Sequence, residues 1–310
     1  MPEEEYVWLP RADILDFEEI ARLTGVFASL GVTKARITGG EPLLRRNLPR
    51  LVALLASDDR LTDLALTTNG VLLADHAASL RRAGLHRVTV SLDTLDRARF
   101  QRLTRTDELP RVLDGIRAAS DHFPIVKLDS VVIRGVNDDE LVALVEFARG
   151  AGAEVRFIEY MDVGGATHWS ADRVFPRAAM LDALHAHFGP VMPLPNVDGA
   201  PADRFRLSDG TIVGIISSTT QPFCRTCDRS RLTADGLWFL CLYAREGVDL
   251  RALVRSGAPD DAVRAAILTA WSARADRGAE LRLNERERAP FVPVSRLRRD
   301  PHLEMHTRGG

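Results

Sequence analysis

Cysteine is scarce and confined to one place. Of 310 residues only Cys224, Cys227 and Cys241 are cysteine, all within eighteen consecutive positions. A secreted scaffold stapled by disulfides is thereby excluded, since such scaffolds are short and cysteine-dense. No run reaches 18 apolar residues, so no segment reads as a membrane-spanning helix. Neither sign of charge dominates: 41 Lys and Arg against 43 Asp and Glu leave a net −2. That balance gives no global signal for nucleic acid or an anionic membrane. The opening Met1-Pro2-Glu3-Glu4-Glu5 is acidic where a signal peptide is basic, which makes a reducing cytoplasm the expected compartment. G-x-x-x-x-G-K-[ST] is missing too, which speaks against a P-loop GTPase.

What is present is concentrated in Phe223-Cys224-Arg225-Thr226-Cys227-Asp228-Arg229-Ser230-Arg231, closed by Cys241. Two cysteines two residues apart grip one metal centre from a single loop, and a third from the next strand completes a face. Thiolates suit zinc and iron–sulfur clusters, and the neighbouring arginines favour the ionised sulfurs. Three readings stay open. The sulfurs are buried free cysteines, or a structural zinc site completed by His302 or His306, or a cluster with one open iron. A structural zinc wants four ligands, and the segment itself has no histidine. The open-iron cluster matches the ligand count best.

The rest of the chain alternates short β-rich runs with amphipathic helices. Helices are expected near 14–30 (Asp16 as N-cap, Gly31 as stop), 47–57, 75–83, 110–120, 138–150 and 176–188. Strands are expected at 35–38, 64–68, 87–91, 126–133 and 154–159. This rhythm implies parallel strands joined by crossovers, an α/β fold read as an incomplete (β/α) TIM-like barrel. Polar groups collect where strands end: Gly39-Gly40-Glu41, Thr67-Thr68-Asn69, Ser91-Asp93 and Glu159-Met161-Asp162. In β/α barrels that rim carries the active site. From about 191 prolines mark a linker, then Asp209-Gly210 signals a hairpin. The expected division is a barrel over 1–190 and a C-terminal α+β extension over 191–310, with a helix near 258–274.

Ile37-Thr38-Gly39-Gly40-Glu41-Pro42-Leu43, Leu66-Thr67-Thr68-Asn69-Gly70, Val90-Ser91-Leu92-Asp93 and Arg156-Phe157-Ile158-Glu159-Tyr160-Met161 resemble the GTP 3',8-cyclase family, radical S-adenosylmethionine (SAM) enzymes of molybdenum cofactor biosynthesis. The cysteine segment and the terminal Gly309-Gly310 are similar as well. The resemblance covers essentially every residue present. It implies a barrel of the radical SAM type, one [4Fe-4S] cluster that cleaves SAM, and a second, C-terminal [4Fe-4S] cluster that binds GTP. A 5'-deoxyadenosyl radical would remove the ribose 3' hydrogen, and C3' would attack C8. The product is (8S)-3',8-cyclo-7,8-dihydroguanosine 5'-triphosphate, taken up by the next enzyme, cyclic pyranopterin monophosphate synthase.

Residue by residue, the resemblance implies SAM contacts at Gly40, Ser91 and Met161, with Glu41 close to the methionyl end. It implies GTP contacts at Arg36, Thr67, Lys127, Arg229 and Arg231, with Lys34 and Arg156 as neighbours, and cluster ligands Cys224, Cys227 and Cys241. The Gly309-Gly310 tail is implied to reach the active site. An electron donor and a homodimer complete the implied partners. Catalytic side chains are not assigned with certainty.

One departure stands out. The family carries C-x3-C-x2-C upstream, its last cysteine directly before the Met-Pro that here reads Met1-Pro2. The expectation is a start assigned to an internal methionine, with the natural protein longer. The SAM-cleaving cluster is then expected only in the full-length form, and residues 1–310 alone are expected to be inactive. The rival readings are a different radical SAM enzyme with an auxiliary cluster, such as a peptide-modifying maturase, and an inactive GTP- or metal-binding remnant.

Overall fold

A computed structural model describes residues 8–163, 168–196, 200–285 and 288–308. The N-terminal Met1-Pro2 and the Gly309-Gly310 tail lie outside the described residues. Parallel strands β1 (Lys34–Ile37), β2 (Asp63–Thr68), β3 (Arg87–Ser91), β4 (Val126–Val132) and β5 (Glu154–Glu159) run in sequence order. Between and around them lie α1 (Phe17–Ser29), α2 (Leu48–Ala56), α3 (Leu73–Arg82), α4 (Arg97–Thr104), α5 (Leu109–His122), α6 (Leu141–Gly150) and α7 (Arg177–Phe188). The chain then adds β6 (Met192–Pro193), β7 (Asp203–Arg206) and β8 (Ile212–Ile216). β8 pairs parallel to β5, and the order becomes β1-β2-β3-β4-β5-β8-β7-β6. This open, eight-stranded sheet with helices on one side fits the expected incomplete barrel.

The strands alternate strictly, because successive side chains point to opposite faces. Leu64 and Leu66, Val88 and Val90, Val126 and Leu128, Val155 and Phe157, and Val213 and Ile215 face the helices and are buried in one core. Full burial of each contributes roughly 1.5–3 kcal/mol. Lys34, Arg36, Asp63, Thr67, Arg87, Thr89, Ser91, Lys127, Asp129, Glu154 and Arg156 occupy the other parity. A one-residue slip would exchange the two sets, so the apolar set fixes the register.

Asp16 caps α1 through a capping box with Glu19, its carboxylate accepting from Glu19 N at 2.7 Å. Gly31, at φ +94°, turns the chain out of the helix. Leu23 and Val26 of α1 then join a second core with Trp238, Leu250, Val254, Val263 and Ile267. That core belongs to the extension: β9 (Arg231–Leu232), β10 (Leu237–Phe239) and β11 (Val248–Asp249) form a small antiparallel sheet. Helices α8 (Leu250–Arg255), α9 (Asp260–Ser272), α10 (Gly278–Leu283), α11 (Val294–Leu297) and α12 (Met305–Arg308) follow. The ion pair Arg255–Glu19 at 2.7 Å and the bond from Leu15 N to Ala234 O at 2.8 Å fasten the extension to α1.

Two local expectations need correction. The proline-rich stretch after 190 is not wholly a linker: Met192–Pro193 pairs antiparallel with β7 at the sheet edge, where a missing N–H is tolerated. And α4 has no counterpart in the sequence reading, because only Phe100 of its eight residues is buried and no apolar stripe marks it.

Candidate active site

The inner face of the sheet is a polar trough with an excess of cations. Thr67, Thr89, Lys127 and Glu154 form one row of laterally paired positions, and Ser91, Asp129, Arg156 and Gly214 form the next row toward the strand ends. From one row below, Arg36 Nη1 donates to Thr67 Oγ1 at 2.7 Å and to Thr89 Oγ1 at 3.1 Å. Arg36 and Thr67, both singled out from the sequence, are thus brought together. Thr89 was missed, although the period-two pattern of β3 was enough to find it. Arg87 forks onto Asp63 at 2.7 and 2.8 Å, and Arg156 Nε donates to Glu154 Oε1 at 3.2 Å. Gly214 makes room for Arg156: a β-carbon there would lie 3.0 Å from Arg156 Cγ.

Crowding of like charges marks this face as prepared for an anion. Partial desolvation by the surrounding trough, with Arg87 and Arg156 adding repulsion, brings Arg36 down to about 10 although its side chain still reaches solvent. Burial and the nearby Arg156 bring Lys127 down to about 8. Cations that lose water before a ligand arrives gain most from bound phosphate oxygens.

At the rim the Gly-Gly-Glu-Pro loop follows β1. Gly39 takes φ +137°, a conformation closed to residues with a side chain. Glu41 is used up in holding this loop: Oε1 accepts from Leu43 N at 3.0 Å and Thr68 Oγ1 at 2.7 Å, and Oε2 from Asn69 N at 2.8 Å. Gly40, beyond β1, and Ser91, at the end of β3, are exposed, and Met161 follows β5 half-buried. Other rim acids serve the fold. Glu159 is buried and accepts from Arg177 N, Thr219 N, Thr220 N and Thr220 Oγ1 at 2.6–2.9 Å. Asp162, also buried, binds Tyr243 Oη at 2.8 Å and Arg288 Nε at 2.9 Å. Burial pushes Asp162 up, but Arg288, Tyr243 and Arg282 outweigh it and its pKa lies below the ordinary value.

The three cysteines are free thiols, all half-buried. Cys241 Sγ accepts from Tyr243 N at 3.4 Å, and Arg274 Nη2 approaches Cys227 Sγ at 3.8 Å. Burial raises the Cys227 thiol, but Arg229 and Arg274 outweigh it and hold the group below its usual value. Cys224 is pushed up by burial. Arg229 lies over the Phe223 ring at 4.8 Å. Arg231, half-buried beside Arg229 and within reach of Cys227 and Cys241, is desolvated enough to fall to about 10. A cleft of about 600 Å³ opens beside Cys241, with Tyr243, Arg245, Arg274 and Phe291 in its wall.

This donor set fits a cluster. His302, one of the imidazoles a zinc site would draw on, faces Asp235 at 2.8 Å and Asp300 at 3.2 Å through its two ring nitrogens. His306 packs edge-on against Trp8 at 5.1 Å. Among the described residues no three His, Cys, Asp or Glu side chains are gathered for a single ion. The fit to an iron–sulfur cluster rests on donor chemistry: three thiolates with arginines beside them.

The last described segment spans the two regions. Arg308 is buried, donates Nη1 to Leu242 O at 2.8 Å, bonds His302 O through Nε, and covers the Phe239 ring at 4.2 Å. Two residues earlier the His306 carbonyl stands against Gly40. The cysteine loop and the Gly-Gly-Glu-Pro loop are therefore bridged by residues 302–308.

The sheet, its glycine-rich rim and its cationic trough define the barrel of a radical SAM enzyme, and the Radical SAM superfamily model matches residues 5–148. The Molybdenum Cofactor Synthesis C model matches residues 153–280. GTP 3',8-cyclase 1 of Mycobacterium tuberculosis is 56% identical over 315 residues, covering 100% of this chain and 88% of that protein. The GTP 3',8-cyclase of Acidothermus cellulolyticus is 52% identical over 295 residues, 91% of this chain and 81% of the relative. That of Xanthomonas axonopodis pv. citri is 44% identical over 299 residues, 96% and 86% respectively. The chain belongs to the GTP 3',8-cyclase family.

Proposed function

We propose that the trough and the cysteine loop together bind GTP for cyclisation to 3',8-cyclo-7,8-dihydroguanosine triphosphate in molybdenum cofactor biosynthesis. The observation that carries the reading is the pair of cation sets, Arg36 with Lys127 and Arg156 in the barrel and Arg229 with Arg231 beside three thiols. A triphosphate is the ligand chemistry that a desolvated Arg–Lys cluster favours. Thr67 holds Arg36 in place, and Lys34 extends the cationic face from the same strand. Cys224, Cys227 and Cys241 would hold a [4Fe-4S] cluster with one iron left for the substrate. SAM and a separate SAM-cleaving cluster, expected in the full-length form, would supply the radical that activates the ribose.

The chain's own residues position the partners. Gly40 lets the ligand approach the backbone, Ser91 offers a hydroxyl, Met161 packs against the adenosyl side, and Glu41 holds the loop on which the methionyl end rests. The division into a barrel over 1–190 and an extension over 191–310 belongs to the same proposal. So do a reduced electron donor, hand-over to cyclic pyranopterin monophosphate synthase, a homodimer and a cytoplasmic location. No helix among the described residues is long and apolar enough to cross a membrane. SAM cleavage by residues 1–310 alone is not expected, since the one cysteine trio is assigned to GTP.

Anaerobic reconstitution with iron and sulfide tests the reading. One cluster per chain, with an EPR spectrum altered by GTP, supports it. Zinc alone, indifferent to GTP, leaves a metal-binding remnant. Formation of 5'-deoxyadenosine by residues 1–310 sinks the assignment of the single trio.

A further inference from the structure

Asp129 lies on the inner face of β4, with Ser91 and Arg156 as its lateral neighbours. One neighbour is read above as a SAM contact and the other as a GTP contact, so Asp129 occupies the boundary between the two ligands. Four cations, Arg156, Arg36, Lys127 and Arg87, act on its charge. Three of them are committed elsewhere: Arg87 to Asp63, Arg156 to Glu154, and Arg36 to Thr67 and Thr89. Asp129 Oδ1 is buried and accepts no hydrogen bond among the described residues. Burial holds its pKa above the ordinary carboxyl value against the pull of those cations.

A buried polar atom without a partner is destabilising, which a ligand can relieve. Rotation about the soft carboxyl torsion presents either oxygen to the trough. A phosphate would repel the carboxylate, and a divalent cation would be repelled by the surrounding arginines and lysine. A neutral donor remains. Both GTP and SAM bring a ribose with vicinal hydroxyls, and a carboxylate on a ribose hydroxyl is a recurrent pairing. We propose that Asp129 is a binding residue whose carboxyl takes a hydrogen bond from a ribose hydroxyl at the junction of the two ligands. This proposal rests on the site reading above and adds a sugar contact to it.

The test measures dissociation constants on the iron–sulfur-reconstituted chain, for wild type, Asp129→Ala and Asp129→Asn. Ligands are GTP, 2'-deoxy-GTP, 3'-deoxy-GTP and ITP, and separately SAM and its 2'-deoxy analogue. Loss of one sugar hydroxyl is expected to weaken wild-type binding roughly tenfold. Asp129→Ala is expected to bind the parent ligand as weakly, with no further loss for the deoxy analogue. Asp129→Asn keeps an acceptor of the same shape and retains part of the discrimination. Which ligand shows the coupling names the sugar. Unchanged ratios for both ligands, with melting temperatures near wild type, overturn the proposal. Coupling to ITP alone overturns it too, because the donor is then the guanine amine. Failure of wild type to bind GTP or SAM at all refutes the site reading itself.

Discussion

The His306 carbonyl oxygen lies 3.8 Å from where a β-carbon on Gly40 would stand, and Trp8 Cζ3 lies 3.6 Å from the same point. These are ordinary contact distances, so an alanine fits there without moving its neighbours. Gly40→Ala is therefore expected to leave stability within about 0.5 kcal/mol. It is also expected to weaken SAM binding at least tenfold by blocking backbone approach. Thermal melting and equilibrium dialysis on one sample separate the two effects.

Lys127 carries a pH signature. Its pKa in the folded chain is about 8, against 10.5 for an unperturbed lysine, chiefly through burial. Between those values the unfolded chain binds more protons than the folded one, so Lys127's contribution makes stability rise with pH through that window. Nucleotide affinity should move the other way. GTP binding is expected to weaken as pH passes about 8, as the ammonium is lost. Lys127→Arg should keep tight binding to higher pH. A wild-type titration flat from pH 7 to 9 would contradict the assignment.

Substituting any one of Cys224, Cys227 and Cys241 with serine is expected to remove most of the iron retained after reconstitution. Iron chelation of the wild type should abolish the GTP-dependent EPR change while leaving barrel circular dichroism intact, because the three thiols lie outside both apolar cores.

Arg308→Ala removes two bonds to carbonyls and a cation over Phe239. The expected loss is about 2 kcal/mol, felt locally in residues 300–308. Faster amide exchange and faster tryptic cleavage at Arg298 and Arg299 would register it. Arg308→Lys should not rescue, since one ammonium cannot span Leu242 O and His302 O together.

Gly115 of α5 serves as a control away from the ligands. A β-carbon there would stand 2.4 Å from Gly70 O and 3.1 Å from Leu73 Cβ. Gly115→Ala must push α5 off the turn after β2, at about 1–3 kcal/mol, with GTP affinity unchanged in the folded fraction. Denaturant midpoints and a binding isotherm check both halves.

Much of the fold was legible because local and global signals agree. The five parallel strands lie within a residue of their expected positions, since each is a short run in which apolar and polar residues alternate, set between amphipathic helices. Lys34 and Arg36 share one parity of β1, which puts both on the trough side. What stayed hidden depends on contacts between distant segments. β9 and β11 have two residues each and form only by pairing with β10, so no periodicity announces them. The engagement of Glu41 by Thr68 and Asn69 was equally invisible, because a carboxylate beside two glycines reads as exposed. Asp129 escaped notice since its meaning lies in a buried oxygen, Oδ1, that accepts no hydrogen bond among the described residues.

The strict division of each strand between core and trough restricts how this protein can vary. A point substitution on the polar parity can retune ligand choice while the apolar parity continues to specify the fold. An insertion or deletion of one residue inside β2, β3, β4 or β5 would turn the pocket inside out from that position onward. Changes of chain length are therefore expected only in the connections, where relatives can lengthen a loop over the trough without rewriting what lies beneath it.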